Sequence, residues 1–398
     1  MKPRTTSFAP SATTARPCAG CGAPQPLPFF ELRGIPARPS VLAGSVEEAL
    51  SCPRGDILLV HCNDCGFIGN QLFDPALPEY SPRTEDTQAY SHTFSDYQRE
   101  MADYIVNDLG IRNRRVVEIG CGKGEFLALV CRLGNNAGTG FDPAFRTDRH
   151  PCPWDDRIRY VTDTYSGEYA DIRADLFCSK MTLEHIPDVG AFLDMLRRTT
   201  AGSGAPLILF QVPDAGIALR EARFFDIVYE HCSYFSAQSL RGLFQRAGFE
   251  VLDTRLSYGG QHITVEARPD GGAGHADESA TLRSEAKLFA TRCAERVRDW
   301  LMRLKQATEA GKRVVVWGSG SRTTTFVNLA GGDAVHRVVD INPYRQGTFI
   351  PGTGHPIVSP EALRDQYPDI VVVINRVYRE EIRRTLAGMD LNPEIVTV

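Results

Sequence analysis

The sequence predicts an α/β protein in which two parallel-sheet units follow a small cysteine-containing domain. In the middle of the chain, helical patterns alternate with short apolar runs such as RVVEIG and PLILFQV, and the alternation returns with RVVVWGSGS and DIVVVIN. This alternation is typical of parallel strands joined by crossover helices. A Gly- and Asp-rich stretch at residues 268–280 separates the two sets. It predicts a linker, so we expect two sheets rather than one large one.

The composition is that of an ordinary globular protein, and 398 residues allow two or three domains. The net charge of -5 argues against nucleic acid, whose binding depends on neutralising phosphates. No apolar run approaches the roughly 20 residues that span a bilayer. The 11 cysteines, without an export signal, favour reduced thiols in the cytoplasm. We therefore expect a cytoplasmic protein, a monomer or homodimer, that binds a small molecule and neither nucleic acid nor membrane.

Four segments follow from composition. Residues 1–16 are basic and Ser/Thr-rich and are predicted to be a disordered leader, and residues 17–82 form the small first domain. Residues 83–268 hold the first α/β unit, and residues 269–398 hold a long helix and the second. The helix is predicted from an apolar stripe at three- and four-residue spacing. Its members are Leu282, Ala286, Phe289, Cys293, Val297, Leu301 and Leu304.

The first domain contains two C-x-x-C pairs, CAGC and CNDC. Each pair forms a tight knuckle, and together they can deliver four thiolates to one Zn²⁺. The alternative is two chance pairs or a redox pair. Because the domain is small and poor in apolar residues, it needs a stabilising cross-link. We therefore expect a structural zinc site with no chemistry at the metal. The predicted ligands are Cys18, Cys21, Cys62 and Cys65.

The segment VVEIGCGKGEFL opens the first α/β unit and contains a glycine-rich turn. A buried strand is predicted to end at Glu118, after which Gly120, Gly122 and Gly124 turn the chain into a helix. Glycines there let a ligand approach the backbone. An acid at this position disfavours a pyrophosphate but suits a cationic ligand, such as the amino group and sulfonium of S-adenosylmethionine. Asp142 ends the next strand, where it can bind ribose hydroxyls.

Two further acids complete the predicted cofactor site. Asp163, in YVTD, is expected to contact the adenine amine, and Glu184 is expected beside the cofactor together with His185. A Rossmann-like unit that binds NAD is the alternative, since a lone G-x-G-x-G is a weak signal. The full pattern, E-x-G-x-G-x-G with an acid at the next strand end and then L-E-H, is similar to class I S-adenosylmethionine-dependent methyltransferases.

The second α/β unit is predicted to be Rossmann-like and to bind substrate. In WGSGSRTTTFVN, a strand again ends in a Gly/Ser turn at a helix start, which favours an anion. An arginine in that turn can pair a phosphate in two places. The alternative is a ligand-free unit used only for packing. The predicted substrate-binding residues are Ser319, Ser321, Arg322, Asn328 and, from an earlier aromatic segment, Tyr90.

Taken in order, the cysteine pairs, the E-x-G-x-G unit, EHCSYFS and DINPYRQGTFIPGTGHPI resemble the bacterial sugar C-methyltransferase family of deoxysugar pathways. The resemblance implies a zinc-binding N-terminal domain, a central S-adenosylmethionine domain, and a C-terminal domain that helps hold a nucleotide-linked sugar. It also implies methyl transfer to a carbon next to a ketone. The chain departs from the family's Tyr-x-Glu-His, because Tyr229 directly precedes Glu230, and it carries Arg322 where the family has a lysine.

The stretch VYEHCSYFS holds the predicted catalytic residues. A structural histidine is the alternative, but an acid, a base and a phenol within three residues are costly to bury without a task. Methylating a carbon requires an enolate, so a base must remove a proton beside the ketone. We expect His231 to be that base, Glu230 to orient the imidazole or a substrate hydroxyl, and Tyr229 to polarise the ketone.

Two other functions stay open on the sequence alone. The enzyme can instead methylate oxygen, nitrogen or carbon of another small metabolite, with the C-terminal unit as a substrate clamp. A non-catalytic scaffold with a relic cofactor pocket is the other possibility. The complete set of Glu118, three glycines and Asp142 argues against the scaffold.

Overall fold

The computed structural model describes residues 8–11, 16–149, 151, 155–200, 204–269 and 280–398. These residues form three sheets of four, seven and five strands. The two larger sheets are the two predicted α/β units, and the smallest lies in the N-terminal part. Most of the predicted linker falls outside the described residues.

Sixteen strands occur within the described ranges: β1 (Leu27–Pro36), β2 (Arg54–His61), β3 (Ile68–Asn70), β4 (Arg115–Ile119), β5 (Ala137–Phe141), β6 (Ile158–Val161), β7 (Leu176–Lys180), β8 (Leu207–Pro213), β9 (Ser233–Tyr234), β10 (Glu250–Ser257), β11 (His262–Arg268), β12 (Val314–Trp317), β13 (Val335–Val339), β14 (Ile357–Val358), β15 (Ile370–Val373) and β16 (Glu394–Thr397). The α-helices in the same ranges are α1 (Val46–Leu50), α2 (His92–Asp103), α3 (Glu125–Gly134), α4 (Val189–Thr200), α5 (Ala215–Arg220), α6 (Ala237–Arg246), α7 (Ala280–Glu309), α8 (Ser321–Phe326) and α9 (Arg379–Ala387).

The N-terminal sheet is antiparallel, in the order β1-β2-β3-β9. Its last strand comes from the middle of the chain, because Ser233 pairs with Gly69 on β3. The Asn70 amide also donates to the Cys232 carbonyl over 2.9 Å. The predicted boundary near residue 82 therefore divides the sequence but not the structure, since the VYEHCSYFS stretch contributes a strand to the first sheet.

Part of the predicted disordered leader packs against β1. The buried Phe8 ring stacks on Phe30 with centroids 5.1 Å apart, and the Glu31 amide donates to the Phe8 carbonyl over 3.0 Å. The Ser11 hydroxyl donates to the Glu31 carboxylate over 2.8 Å. The prediction of disorder is therefore wrong for residues 8–11, because Phe8 contributes to the apolar core. Residues 1–7 and 12–15 lie outside the described ranges.

Tyr229 lies in the core of the first sheet rather than in a cavity. Its side chain is 1% exposed, and its ring stacks on Phe73 with centroids 5.5 Å apart. The phenol oxygen accepts the Asp74 amide over 2.9 Å. Gly55 on β2 makes room for the ring, since a Cβ there would overlap it. This placement contradicts the assignment of Tyr229 to catalysis, because its polar atom faces the backbone of the N-terminal domain.

The seven-stranded sheet has the order β10-β11-β8-β7-β4-β5-β6. Strands β4 to β8 run parallel, and the hairpin of β10 and β11 adds antiparallel strands at one edge. The five-stranded sheet is parallel throughout, in the order β14-β13-β12-β15-β16. Ligands bind open parallel sheets at the carboxyl ends of their strands. The two sheets therefore each present one edge at which a ligand site is expected.

The long helix α7 carries the predicted apolar stripe, with one change. Leu301 is 37% exposed, whereas Trp300 is buried and takes its place between Val297 and Leu304. The Phe289 ring lies 6.2 Å from Phe29 and 5.0 Å from Phe30 on β1. Helix α7 thus joins the first and third sheets in one apolar core. No helix in the described ranges combines the length and apolarity that crossing a membrane requires.

A buried carboxylate connects the segment before α2 to the third unit. Glu85 pairs with Arg149 over 2.8 Å and accepts the Asn342 amide over 2.9 Å. The Arg345 guanidinium donates to the Glu85 carbonyl. Although burial opposes ionisation, the contacts with Arg149 and Asn342 hold the pKa of Glu85 below its usual range. Glu85 is therefore ionised in the folded protein and connects its own segment to Arg149 and to the loop after β13 that carries Asn342 and Arg345.

We expect Tyr229→Phe to lower the free energy of unfolding by about 1 kcal/mol, because it removes one hydrogen bond while keeping the ring. Turnover should not change, since the phenol faces the N-terminal core. Urea denaturation and steady-state kinetics check the two halves. A variant with wild-type stability and reduced turnover would contradict the placement.

We expect Glu85→Ala to lower the free energy of unfolding by about 3 kcal/mol, because it leaves a buried guanidinium without its partner. A carboxyl whose folded pKa is depressed stabilises above its unfolded pKa, and this contribution disappears as pH falls through the folded value. The difference from wild type in urea denaturation should therefore shrink below about pH 4. The exposed Glu380→Ala, which breaks a surface pair with Arg383, is the control and should leave the midpoint unchanged. Equal effects of both variants would contradict the prediction.

Candidate active site

A cavity of about 740 Å³ lies between the two larger sheets. Its walls include residues at the carboxyl ends of β4, β5, β7 and β8 on one side and of β12, β13 and β15 on the other. The segment before α2 closes a further side with Asp86 and Tyr90. The volume lies in the upper part of the roughly 300–1,000 Å³ range of small-molecule sites.

The glycine-rich turn after β4 forms one end of the cavity. Gly120 has φ +72°, and a Cβ there would overlap Thr182, so this position requires glycine. The Asp142 carboxylate accepts the Gly122 amide over 2.8 Å and the Ala144 amide over 2.7 Å. Glu118, Gly120, Gly122 and Asp142 all line the cavity, as predicted for the cofactor. Gly124 does not line it but caps α3 with φ 84°.

The charges at this end favour a cation. Glu118 is 2% exposed, and its Oε2 has no hydrogen-bond partner within the described ranges, while burial raises the pKa of the carboxyl. Burial and the nearby Asp86 raise the pKa of Asp142 to about 6. Lys180, at the end of β7, faces the same cavity, and burial lowers the pKa of its amine. A cationic ligand would satisfy the unpaired oxygen of Glu118 and reduce the repulsion between Asp86 and Asp142.

Sequence reasoning missed Asp86 and Lys180. Asp86 lies between elements, in a segment without a motif, and no local pattern identifies it. Lys180 had a signal, because a lysine directly after the apolar run LFCS needs a partner when buried. Its Nζ lies 3.7 Å from the Phe126 ring centroid.

Asp163 lies outside the cavity, contrary to its assignment to the adenine. Strand β6 ends at Val161, and the chain then bends so that the Asp163 carboxylate accepts the Tyr169 hydroxyl over 2.6 Å. It also accepts the Thr164 amide over 2.7 Å. Thr164 and Tyr165 line the cavity in its place. The acid is exposed because it serves the turn rather than the ligand.

The predicted catalytic stretch reaches the cavity with Glu230 and His231. His185 lies against His231, with ring centroids 4.9 Å apart, and its Nδ1 is 3.0 Å from both the Glu230 carbonyl and the Tyr80 hydroxyl. Glu184 and His185 stand in a short turn, Leu183–His185, ahead of α4 and not at its first residues. Glu230 contacts Ser40 rather than an imidazole, since the Ser40 hydroxyl donates to its carboxylate over 2.8 Å.

Burial sets the protonation of this cluster. It lowers the pKa of His185 to about 4, and burial together with His185 and Arg322 lowers the pKa of His231 well below the usual value. Burial also raises the pKa of Glu230 to about 7. At neutral pH both imidazoles are therefore uncharged, and a ring nitrogen of His231 can accept a proton.

The turn after β12 lines the opposite end of the cavity with Ser319, Ser321 and Arg322. Ser319 is already engaged, because its amide and hydroxyl donate to Asp340 over 2.7 and 2.6 Å. Arg322 pairs with Asp226 over 2.6 Å and donates to Gln261 over 2.9 Å. This pairing makes Arg322 a poorer phosphate ligand than the sequence suggests.

Two other predicted substrate residues differ in outcome. Tyr90 lines the cavity. Asn328 does not, because its amide donates to the Thr324 and Pro351 carbonyls over 2.8 and 2.9 Å and holds the loop against the helix. Its assignment to substrate is contradicted by this placement.

Arg345 is a cationic residue of the cavity that the sequence did not single out. It comes from the Pro/Gly-rich loop after β13, is 7% exposed, and donates to the Ser319 carbonyl over 3.0 Å. Its guanidinium donates to the Ser319 and Glu85 carbonyls and to the Ser319 hydroxyl. No carboxylate in the described part of the chain pairs with it at salt-bridge distance, although its charge helps to lower the pKa of Glu85. An arginine in a loop after a buried strand was the signal present in DINPYRQGTF.

The two cysteine pairs meet outside this cavity. Cys18 and Cys65 have their Sγ atoms 3.6 Å apart, as do Cys21 and Cys62, and all four Sγ atoms lie within 4.8 Å of one another. A tetrahedron with zinc–sulfur bonds of about 2.3 Å has edges of about 3.8 Å. The donor set therefore fits one tetrahedral ion with every position filled by protein.

Two sequence profiles match the chain in the order of its α/β units. A methyltransferase domain matches residues 92–254, and a C-methyltransferase C-terminal domain matches residues 275–392. C-methyltransferase NovU of Streptomyces niveus is 28% identical over 311 residues, which is 72% of each chain.

Solved structures with similarity to the chain include two methyltransferases bound to S-adenosylhomocysteine. The 1,6-didemethyltoxoflavin-N1-methyltransferase of Burkholderia thailandensis is 16% identical with a TM-score of 0.36, over 53% of this chain and 98% of that one. The magnesium protoporphyrin IX methyltransferase of Synechocystis is 14% identical with a TM-score of 0.35, over 44% and 83%.

The glycine turn after β4 lies within the matched methyltransferase domain, and the turn after β12 lies within the matched C-terminal domain. The chain is an S-adenosylmethionine-dependent methyltransferase in which a methyltransferase domain is followed by a C-methyltransferase C-terminal domain.

Proposed function

We propose that the enzyme methylates a carbon next to the ketone of a nucleotide-linked sugar, with His231 as the base. One observation carries the proposal: a half-buried, uncharged His231 lines the same cavity as the cofactor turn and the Arg345 guanidinium. A base, a methyl donor site and an anion site are the parts that this reaction requires.

The chemistry explains why the base is needed. A C–H bond has no lone pair that can attack a methyl group, so His231 first takes the proton from the carbon beside the ketone. S-adenosylmethionine supplies the electrophilic methyl group when bound. The enolate carbon would accept that methyl group, the methyl–sulfur bond pair would stay on sulfur, and His231 would hold the abstracted proton as an imidazolium. His185 lies beside His231, and the Tyr80 hydroxyl, which contacts His185 and lines the cavity, is suited to hydrogen-bond the ketone oxygen.

The anionic end of the substrate is assigned to the third unit. Arg345 offers a guanidinium without a carboxylate partner at salt-bridge distance among the described residues, and Ser321 lines the same cavity. Tyr90 adds an aromatic ring to the cavity wall. We therefore place the phosphates near Arg345 and treat Arg322 as a support of the turn. Residues 269–398 act as the substrate domain and residues 83–268 as the cofactor domain.

The cysteine cluster is assigned to a structural Zn²⁺. Four thiolates from two knuckles leave no open position for substrate, and such a site supplies folding energy rather than chemistry. The zinc domain comprises residues 17–82 together with β9. A cytoplasmic location stays a prediction from the sequence.

Transfer to oxygen or nitrogen of another metabolite is the competing function. It needs no loss of a carbon-bound proton, so the two are separated by exchange of that proton with solvent.

The first experiment uses His231→Ala with a panel of nucleoside diphosphate-linked keto sugars. We expect loss of α-proton exchange in deuterated water and a fall in methyl transfer of roughly 10²–10⁴-fold, as for removal of a general base. Cofactor binding by calorimetry should stay at the wild-type level and shows that the variant is folded. Exchange and methylation at near wild-type rates would refute the base assignment. Equal activity on the free keto sugars would refute the nucleotide-linked substrate.

The second experiment replaces Cys62 by Ser. We expect one zinc per chain in the wild type by metal analysis, and loss of most of it in the variant together with a lower unfolding midpoint. Cys52→Ser, outside the cluster, is the matched control and should keep the metal. A metal-free wild type, or full retention by Cys62→Ser, would contradict the assignment.

A further inference from the structure

Glu184 is a buried carboxyl that the cofactor site does not explain. Its side chain is 1% exposed, and Oε2 has no hydrogen-bond partner among the described residues. Buried polar groups are nearly always paired, so an unpaired carboxyl oxygen needs a reason. The sequence had assigned Glu184 to the cofactor.

The position of Glu184 connects it to His231. Ligand atoms of Glu184, His185 and His231 all lie within 4.8 Å of one another. Glu184 and His231 both line the large cavity, and both also line a second cavity of about 40 Å³. That volume holds a few waters, since one needs roughly 10–15 Å³. The carboxyl and the imidazole therefore share the walls of both cavities.

Other charged and titratable groups around the pair do not neutralise it. Arg322 is held by Asp226, Glu230 by Ser40, and Asp214 by the amides of Gly216 and Ile217. The remaining groups that face it are Tyr80, His185, Cys232 and Tyr234. No cation in the described part of the chain contacts the Glu184 carboxyl.

We propose that Glu184 is a positioning residue for His231. At rest the Glu184 carboxyl shares its proton with the imidazole, and as a carboxylate it supplies the negative charge when His231 becomes an imidazolium. The inference rests on the proposed function, because it assigns a partner to the same base. When His231 takes the proton from the substrate carbon, a carboxylate within 4.8 Å converts a lone buried cation into an ion pair. The proton then leaves the pair to water before the next turnover, so atoms and charges balance.

The pair sets a pH dependence with a definite sign. Burial raises the pKa of Glu184 to about 8 and lowers that of His231, so at pH 7 the carboxyl is mostly protonated and the imidazole is neutral. The competent form is the carboxylate beside the neutral imidazole. Base activity should therefore rise as pH increases through about 8. His185 stays neutral over this range. Glu230, whose pKa is about 7, adds a second titration to the pH–rate profile at lower pH.

The test compares Glu184→Gln with wild type in α-proton exchange, without cofactor, from about pH 5 to 10. We expect the plateau rate to fall about 10- to 100-fold and the acid limb to move from near pH 8 to 7 or below. Glu184→Asp should restore part of both. Glu266→Gln, a buried carboxyl on β11 outside both cavities, is the matched control and should change neither.

A readout without substrate separates this inference from the proposed function. In wild type, the ring ε1 resonance of His231, assigned by its absence in His231→Gln, should respond to a titration near pH 8, and Glu184→Gln should lose it. A lower rate with an unmoved limb and resonance would make Glu184 merely structural. Weaker cofactor binding in Glu184→Gln, with an unchanged acid limb of the exchange rate, would instead assign Glu184 to the cofactor site. A second equivalent of divalent metal that Glu184→Gln removes would make the cluster a metal site. If His231→Ala keeps the proton exchange while the wild-type protein still shows the His231 titration near pH 8, the proposed function alone is overturned.

Discussion

The apolar stripe of α7 is the constraint on which the rest of the structure depends. Phe289 packs between Phe29 and Phe30 of the first sheet, while further along the helix Leu304 lies in the same core as Val314 and Val316 of the third. A single core of this kind fixes two sheets relative to each other, because close-packed interiors resist sliding. Ala215 and Leu219 of α5, which follows β8 of the second sheet, belong to the same core, so the second and third sheets that form the cavity walls are also held relative to each other. Glu85 adds polar contacts where the segment before α2 meets the third unit.

Within the cavity, acidic and basic side chains are separated, and each end suits a different ligand. The cofactor end collects carboxyls: Glu118 Oε2 has no hydrogen-bond partner among the described residues, and burial and the nearby Asp86 raise the pKa of Asp142. The opposite end holds Arg345, which donates to carbonyl oxygens. Between them stand two imidazoles kept neutral by burial. A cation site, a base and an anion site thus line a single cavity. At each end, the buried charged groups carry a desolvation cost that a bound ligand would offset.

The success of sequence reasoning depended on how local each feature is. Glu118, Gly120, Gly122 and Asp142 lie at or directly after strand ends, so the pattern of strands was enough to predict that they share one cavity, whereas Gly124 caps α3. Asp163 and Asn328 were misplaced because a bend after β6 and a loop after β13 decide where they point, and neither leaves a trace in spacing. Tyr229 was misread for the same reason: its neighbours in sequence face the cavity, but the ring enters a core completed by residues more than a hundred positions earlier. Arg345 and Lys180 were visible but carried no motif.

The strand β9 has a consequence for how this protein can be divided. The Asn70 amide bonds to the Cys232 carbonyl, and the Cys232 amide bonds to the Glu184 carbonyl, each over 2.9 Å. Backbone hydrogen bonds thus link β3, which follows the second cysteine pair, to Cys232 and then to Glu184 in the turn beside His231. The middle of the chain is consequently not a transplantable module: a chimera that exchanges residues 83–268 alone would carry a strand shaped for one partner into another. Recombination among relatives should be tolerated only where the N-terminal domain and the VYEHCSYFS stretch come from the same parent.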